Sequence, residues 1–201
     1  MLPEVNSEQA FSQYIDKSPS GRLAFATFKN GVMAEDEDGT FRQYLRHEKQ
    51  LGKNVIRTLK WLSDKEILFS ESRNINLIAG DSIRQIYDWG QNGNLFQTLE
   101  QDRQGNIWFG GLKGLGIIFA NDTIGEPFFL PELDGIFVLR VFFADEKRLV
   151  AGTDHGYYEI EVLSAHKGDL RYMVSQPFPQ QHGLLLHRCR TLYHALRQDG
   201  G

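Results

Sequence analysis

One pattern of apolar residues recurs four times along this chain and constrains its fold more than any other feature. An apolar residue opens a short apolar run in each copy, and successive anchors lie 44, 40 and 42 residues apart. These four anchors are Leu23, Ile67, Ile107 and Leu149. An apolar residue precedes each anchor by eight positions, and a small residue follows it by three. Because these positions stay in phase, the four segments are repeats of one structural unit.

A period of about 40 to 45 residues that holds four short strands is typical of a β-propeller blade. A four-stranded meander has two apolar faces, and each face needs a neighbouring sheet to remove it from water. The second strands are accordingly apolar without alternation, as expected of strands that are covered on both sides. The predicted fold class is all-β: a partial β-propeller of about four four-stranded antiparallel blades and the start of a fifth.

The repeats also divide the chain. After an N-terminal flank at residues 1–9, a propeller fragment spans residues 10–201. The predicted blades lie at about residues 10–46, 54–90, 94–132 and 135–175, and another blade starts at residues 184–201.

The tail has two interpretations. As a strand it matches the start of the third unit, with Leu196 aligned on Leu99 and Asp199 on Asp102. As a helix it would place Leu185 and Leu192 near one face. The strand is favoured because the repeat predicts one here. A closed disc would not end in an unfinished unit, so we expect an open arc of a longer propeller.

Residues 102–119 carry the most informative motif, a polar turn followed by two apolar runs that predict a β-hairpin. Asp102 and Gly105 supply the side-chain acceptor and the permissive backbone that such a turn needs. The sequence DRQGNIWFGG, continued by GLGIIF, resembles the two-component regulator propeller repeat. The residues that carry this resemblance are Asp102, Gly105, Ile107, Trp108, Phe109, Gly110, Gly116 and Ile117.

Two positions depart from the pattern of that family. Gly111 replaces the usual threonine, which Thr153 restores in the fourth unit, and the pair Ser70 and Glu71 replaces the small residue and threonine in the second. The other units match only in their apolar residues.

The resemblance implies a non-enzymatic sensor domain of a bacterial signal-transduction protein, related to hybrid histidine kinases or cyclase-linked regulators. Such a domain would be periplasmic and would bind a small molecule, a glycan or a protein partner. Two alternatives stay open, a propeller enzyme of the lyase or glycosidase type and a protein-binding scaffold. Against an enzyme, no paired carboxylates recur near the ends of the inner strands.

Charge and composition exclude several classes of protein. The net charge of −4 argues against nucleic acid as a partner. No apolar run approaches the roughly 18 residues of a membrane span, so none is expected in this chain. The start MLPEVNSEQ lacks the features of a secretory signal, so the chain is either cytosolic or has an export signal outside it. Self-association through open blade faces is a further expectation.

Two loops have a composition that resembles a binding site. Glu35 to Gly39 form the densest acidic cluster, but the twelfth position of a calcium loop counted from Asp36 is His47, not a carboxylate. Gly110 to Gly116 lack the spacing and the following helix of a phosphate-binding loop. We expect both segments to be ordinary turns.

Other reactive side chains are scattered. The six histidines lack the spacing of a zinc set, and they are His47, His155, His166, His182, His187 and His194. Cys189 lies in no reactive motif. Trp61 and Trp89 could stack on a ligand, although packing in the core or at the rim is favoured. The sequence therefore predicts no catalytic, cofactor-binding or metal-binding residues, and no cofactor.

Overall fold

The structure is a computed structural model that describes most of the chain. The described residues are 12–28, 30–44, 55–71, 73–88, 96–120 and 127–176, together with the backbone of 191–195. The chain divides into two compact units, Met1–Leu99 and Glu100–Gly201. The described residues form antiparallel sheets and contain no α-helix, which confirms the predicted all-β fold class.

The first unit contains two four-stranded sheets, each with its strands in chain order. Blade 1 consists of β1 (Ser12–Lys17), β2 (Leu23–Thr27), β3 (Val32–Glu35) and β4 (Phe41–Tyr44). Blade 2 consists of β5 (Ile56–Ser63), β6 (Glu66–Glu71), β7 (Asn74–Ala79) and β8 (Ser82–Asp88).

These two blades share one apolar core. Blade 1 contributes small side chains, including the fully buried Ala24 and Ala26, and blade 2 contributes large ones, including Phe69. Alanine has almost no side-chain volume, so two sheets can approach closely enough for the bulky partner residues to fill the gap. In blade 1 the small residue that the repeat places after the anchor, Ala26, therefore serves packing between sheets.

The remaining strands form two further sheets. Blade 3 consists of β9 (Thr98–Gln101), β10 (Ile107–Gly111), β11 (Gly114–Ile118) and β12 (Phe128–Phe129), followed by a 3₁₀ turn at Pro131–Leu133. Blade 4 consists of β13 (Val138–Phe143), β14 (Arg148–Thr153), β15 (Gly156–His166), β16 (Asp169–Ser175) and β17 (Thr191–Ala195).

The tail strand differs from the prediction. β17 pairs antiparallel with β16, from Val174 opposite Thr191 to Leu170 opposite Ala195. It is a fifth strand of blade 4 and not the start of a fifth blade. The physical reason is that the free edge of β16 presents unpaired backbone N–H and C=O groups, which an additional strand satisfies. The apolar pattern of the tail could not distinguish these two pairings.

The anchor residues follow the repeat in position, but one of them is not buried. Ile67, Ile107 and Leu149 are at most 6% exposed, whereas Leu23 is 36% exposed. Ile67 belongs to the core shared with blade 1, and Leu149 to the core shared with blade 3. Leu23 occupies the same face of blade 1, where no preceding blade covers it among the described residues. The repeat predicts that all four anchors occupy equivalent buried positions; this prediction is wrong for Leu23, although its phase in the repeat is right.

The turn before β10 explains the motif of the third repeat. The carboxylate of Asp102 accepts hydrogen bonds from the backbone N–H groups of Gln104 and Asn106, at 3.0 and 2.9 Å. Its second oxygen accepts from the Asn106 amide at 2.7 Å and from the Trp108 indole at 3.0 Å. Gly105 closes the turn with a φ of +85°, in the left-handed region that glycine adopts without strain. The side chains of Asp102, Asn106 and Trp108 thus hold the turn together.

Asn106 extends this network to blade 4. Its amide nitrogen donates to the carbonyl of Ala165 on β15 at 2.7 Å, and its amide oxygen accepts from the N–H of Ala120 at 2.8 Å. Trp108 lies in the core shared by blades 3 and 4, edge-on to Phe143 with ring centroids 6.3 Å apart. One turn therefore orients both a core side chain and a bond between blades.

Candidate functional site

A cleft of about 440 Å³ opens between blades 1 and 2 of the first unit. In an antiparallel meander the first and third turns lie at the same end of the sheet, so four turns of the two blades converge at this end. We call this space the turn cleft. Its lining residues are Arg22, Asp36, Glu37, Asp38, Arg42, Tyr44, Trp61, Asp64, Lys65, Ile67, Ile78, Gly80 and Asp81.

One end of the turn cleft, formed by the β1–β2 and β5–β6 turns, is built around Arg22 and Asp64. The Arg22 guanidinium carbon lies 5.4 Å from the centroid of the Trp61 ring, within the range of a cation–π interaction. Its Nη2 donates a hydrogen bond to the backbone carbonyl of Asp64 and lies 3.9 Å from the Asp64 carboxylate. The Asp64 carboxylate also accepts the N–H of Ser20 at 3.0 Å. We call this the arginine end.

Asp64 is held in its charged form. Side-chain hydrogen bonds from Ser20 and Ser18, together with the Ser20 backbone N–H, lower the pKa of Asp64 to about 2. Hydrogen bonds to an ionised carboxylate favour the charged state, which explains the direction of the shift. Asp64 therefore carries a negative charge at every pH near neutrality.

Trp61 forms part of the floor of the cleft. The residue is 8% exposed, and its backbone N–H donates to the Asp16 carboxylate at 2.8 Å. Its indole N–H is buried and has no acceptor, and the same holds for the Nε of Arg22. A buried donor without an acceptor costs free energy that a hydrogen-bonding partner would recover.

The opposite end of the cleft, formed by the β3–β4 and β7–β8 turns, is acidic. Arg42 is the cation in this region: its Nε lies 3.4 Å from the Asp36 carboxylate, and its Nη1 pairs with Asp81 on blade 2. Its guanidinium carbon is 6.0 Å from the Tyr44 ring centroid. The hydrogen bond to Asp81 and the charge of Asp36 raise the pKa of Arg42. We call this the acidic end.

The acidic cluster predicted from the sequence contributes to this end. Asp36 to Thr40 form a turn, and the Asp38 carboxylate accepts the N–H and the hydroxyl of Thr40 at 2.9 and 2.6 Å. These bonds lower the pKa of Asp38. Among the described residues, no group of three or more histidine, cysteine, aspartate or glutamate side chains is placed to hold a metal ion. The turn predicted for this segment is present.

The other sequence candidates lie elsewhere. Gly110 to Gly116 form the β10–β11 hairpin, with Gly111 opposite Gly114. His155 is exposed, with its Nδ1 2.8 Å from the Asp154 Oδ1, and His166 is exposed at the end of β15. The candidates that lie outside the described side chains are His47, Trp89, His182, His187, Cys189 and His194.

Sequence reasoning singled out Trp61 but missed the two arginines, Asp64 and Asp81. One signal could have pointed to Arg42, because the first two repeats share an Arg-Gln pair in their fourth strands, Arg42-Gln43 and Arg84-Gln85. No comparable pattern marks Arg22, Asp64 or Asp81. Arg22 contacts Asp64, and Arg42 contacts Asp81, because parts of the chain 42 and 39 residues apart converge in space.

One segment of the chain matches a known family. Residues 90–113 match the profile of the family described as "Two component regulator propeller". This segment is similar to one repeat of that family. The matched region includes Asp102, Gly105 and Trp108, the residues whose hydrogen bonds shape the turn described above. A comparison with curated proteins finds no match.

Solved structures similar to this chain share its fold at low identity. Virginiamycin B lyase from Staphylococcus aureus, crystallised with quinupristin, is 16% identical with a TM-score of 0.59, over 96% of this chain and 73% of the lyase. A streptogramin B lyase is 14% identical with a TM-score of 0.56, over 95% of this chain and 71% of the other.

A third similar structure is the extracellular domain assigned to a hybrid two-component system of B. thetaiotaomicron. It is 21% identical with a TM-score of 0.55, over 75% of this chain but only 20% of that domain. These likenesses establish the β-propeller fold. Within the described residues, no helix is long and apolar enough to cross a membrane.

Proposed function

We propose that this chain is a non-enzymatic sensor domain of a bacterial signal-transduction protein, and that it binds its ligand in the turn cleft. The observation that carries this proposal is the regulator propeller repeat at residues 90–113. The likeness to an extracellular domain of a two-component system supports an extracytoplasmic, periplasmic location. The kinase or cyclase output would belong to another part of the signalling protein.

The electrostatics of the turn cleft favour binding over catalysis. A general acid or base works best with a pKa near the operating pH. Here hydrogen bonds lower the pKa of Asp64 to about 2, and the pKa of Arg42 is raised. Both groups therefore keep their charge near neutrality. Fixed charges in a cleft are suited to recognising a polar ligand.

A lyase is the second candidate, favoured by the two lyases among the similar structures. Incubation of the purified chain with quinupristin, followed by mass spectrometry, tests it directly. We expect the mass of quinupristin to stay unchanged. Conversion by this chain would replace the sensor proposal with an enzyme.

Ligand binding can be tested by a thermal-shift screen with small polar compounds. A ligand that binds only the folded state stabilises it by about 2.7 kcal/mol at 100 times its dissociation constant. We expect at least one compound to raise the melting temperature of the wild type but not that of the Arg42→Ala, Asp81→Ala double variant. That double variant removes an exposed ion pair from the cleft.

The matched control removes another exposed ion pair, Arg103 with Glu146, whose charged atoms lie 2.6 Å apart in the second unit. The Arg103→Ala, Glu146→Ala variant should respond to the compound like the wild type. If no compound stabilises the wild type, or if the cleft variant responds equally, the turn cleft is not the ligand site.

A further inference from the structure

The face of blade 1 that points away from blade 2 carries apolar side chains that no other described sheet covers. In β2, Ala24 and Ala26 belong to the core shared with blade 2, so Phe25 between them points away from that core. Ile15 and Leu23 on the same face are 56% and 36% exposed. We call this the outer face of blade 1, and the strand register gives its residues as Ile15, Lys17, Leu23, Phe25, Met33, Glu35, Phe41 and Gln43.

One row of residues across this face carries two opposite charges on either side of an apolar residue. Lys17 on β1 lies opposite Leu23 on β2, and the Glu35 carboxylate on β3 accepts the Leu23 backbone N–H at 3.0 Å. Two strand spacings, about 10 Å, separate Lys17 from Glu35. Neither side chain forms an ion pair with any described residue. The row therefore presents one positive and one negative charge to a partner.

The next row along the strands is apolar. Ile15 lies opposite Phe25, and Phe25 lies opposite Met33. The Phe25 ring also packs on Phe41 of β4, with ring centroids 5.6 Å apart. Removing such a row from water is favourable. A complementary partner must therefore bring apolar side chains to one row and a charge of each sign to the other.

A second copy of the same face meets these requirements. We propose that this chain forms a two-fold symmetric dimer in which the outer faces of blade 1 pack against each other. With the two-fold axis between the sheets and parallel to β2, β1 of one copy lies over β3 of the other. Lys17 then faces Glu35 of the second copy, and Ile15 faces its Met33. Each of these contacts forms twice, because a two-fold interface is reciprocal. This inference is independent of ligand binding in the turn cleft.

Other arrangements of two copies fit less well. A head-to-tail contact with the far face of blade 4 would cover Glu159 and the pair of Arg148 and Glu161 with apolar side chains, at a cost in desolvation. A two-fold axis that crosses the strands would place Lys17 against Lys17 or Ile15 of the second copy. The axis parallel to β2 is the arrangement that pairs both charges and aligns the apolar rows.

The size of the outer face sets the expected affinity. Four strands about 4.8 Å apart, each about five residues long, cover roughly 300 Å². A standard stable interface buries about 800 Å² on each partner. We therefore expect a weak dimer, with a dissociation constant on the order of 100 μM.

Sedimentation equilibrium of the whole chain, over concentrations that bracket this value, tests the proposal through charge reversal. Lys17→Glu or Glu35→Lys turns two attractive contacts per dimer into two repulsive ones, so each should weaken the dimer by about tenfold. An equimolar mixture of the two single variants restores both contacts, and so does the double variant. We expect both samples to dimerise within about threefold of the wild type.

Lys147→Glu is the matched control, because it changes the net charge as Lys17→Glu does but lies at an exposed position of the second unit. It should leave the dimer unchanged. Equal melting temperatures of the variants and the wild type, measured at low concentration, check that each variant folds.

Three results would overturn the proposal. The first is a wild type that stays monomeric over the whole range, which would leave the outer face to a different partner. The second is a dimer that resists both single substitutions, or that the mixture of single variants fails to restore. The third is assembly beyond the dimer, which would indicate a head-to-tail contact.

Discussion

Replacing Asn106 by alanine should destabilise the second unit because a single buried amide joins three parts of it. Asn106 is 2% exposed, and its side chain makes hydrogen bonds to Asp102, Ala165 and Ala120 at 2.7, 2.7 and 2.8 Å. The Ala165 residue that would lose its donor is itself only 3% exposed.

The size of the effect follows from these contacts. A hydrogen bond contributes about 0.5–1.5 kcal/mol net, and a buried group left without a partner costs about 1–3 kcal/mol. Three bonds are lost and at least one buried carbonyl is left unpaired, so we expect a loss of about 3 kcal/mol. For a chain of this size, that corresponds to a fall in melting temperature of roughly 6–12 °C.

Urea denaturation followed by tryptophan fluorescence measures this loss, because Trp108 is fully buried and bonded to the same turn. Gln104→Ala is the matched control, since Gln104 lies in the same turn but has an exposed side chain. The control should change stability by less than about 0.5 kcal/mol. An Asn106→Ala variant as stable as that control would show that the network does not hold the turn to blade 4.

Three further predictions follow from other features. Gly114→Ala should lower the free energy of unfolding by more than about 2 kcal/mol, because Gly114 has a φ of +115° and a Cβ would overlap the Leu133 carbonyl. Gly39→Ala, at a φ of +79° with open space around it, should lower it by about 1 kcal/mol in the same denaturation assay. Asp64 has a depressed pKa, so the stability it contributes is present above pH 4 and is lost as the pH falls from about 4 to about 2. The free energy of unfolding of Asp64→Asn, measured over the same pH range, should not show this loss. A pH dependence of stability equal to that of the wild type would contradict the prediction. Light scattering should show that the wild type self-associates, because Ile15 is 56% exposed on an apolar sheet face. The Ile15→Asp substitution should weaken this association, and a wild type that is monomeric at all concentrations would refute the prediction.

The fold was predictable because its determinants repeat. The repeated spacing of apolar residues specifies which residues of each strand face a neighbouring sheet. Turn residues such as Asp102 and Gly105 specify where strands end. Both are local properties of the sequence, and residues 90–113, one segment that carries them, match the family profile. The short outer strand of blade 3 was also predictable, since prolines flank Phe128 and Phe129.

The candidate site was far less predictable. Arg22, Asp64 and Asp81 are ordinary turn residues when read in the sequence, and each makes a favourable local contact as such. Their chemistry depends on the convergence of turns from two blades, which fixes side-chain distances that no local pattern encodes. The tail strand shows the same limit, because β17 was recognisable as a strand but its partner β16 was not.

Blades 1 and 4 each have one face that no other described sheet covers, and the residue types on these two faces differ. The residue after each anchor has a cross-strand partner on the third strand, and in blades 1, 2 and 3 these partners are Ala34, Leu77 and Ile117. In blade 4 the partner is Glu159, next to Glu161 opposite Arg148.

The pair of Arg148 and Glu161 suits contact with water. Phe142 shares that face at 50% exposure, but charged side chains surround its apolar surface. The face of blade 1 is different, because Ile15, Leu23 and Phe25 lie there without a core of their own. Apolar surface of that kind gains free energy when it is covered, at about 25 cal/mol per Å². Self-association should therefore use the face of blade 1 and leave the far face of blade 4 in contact with solvent.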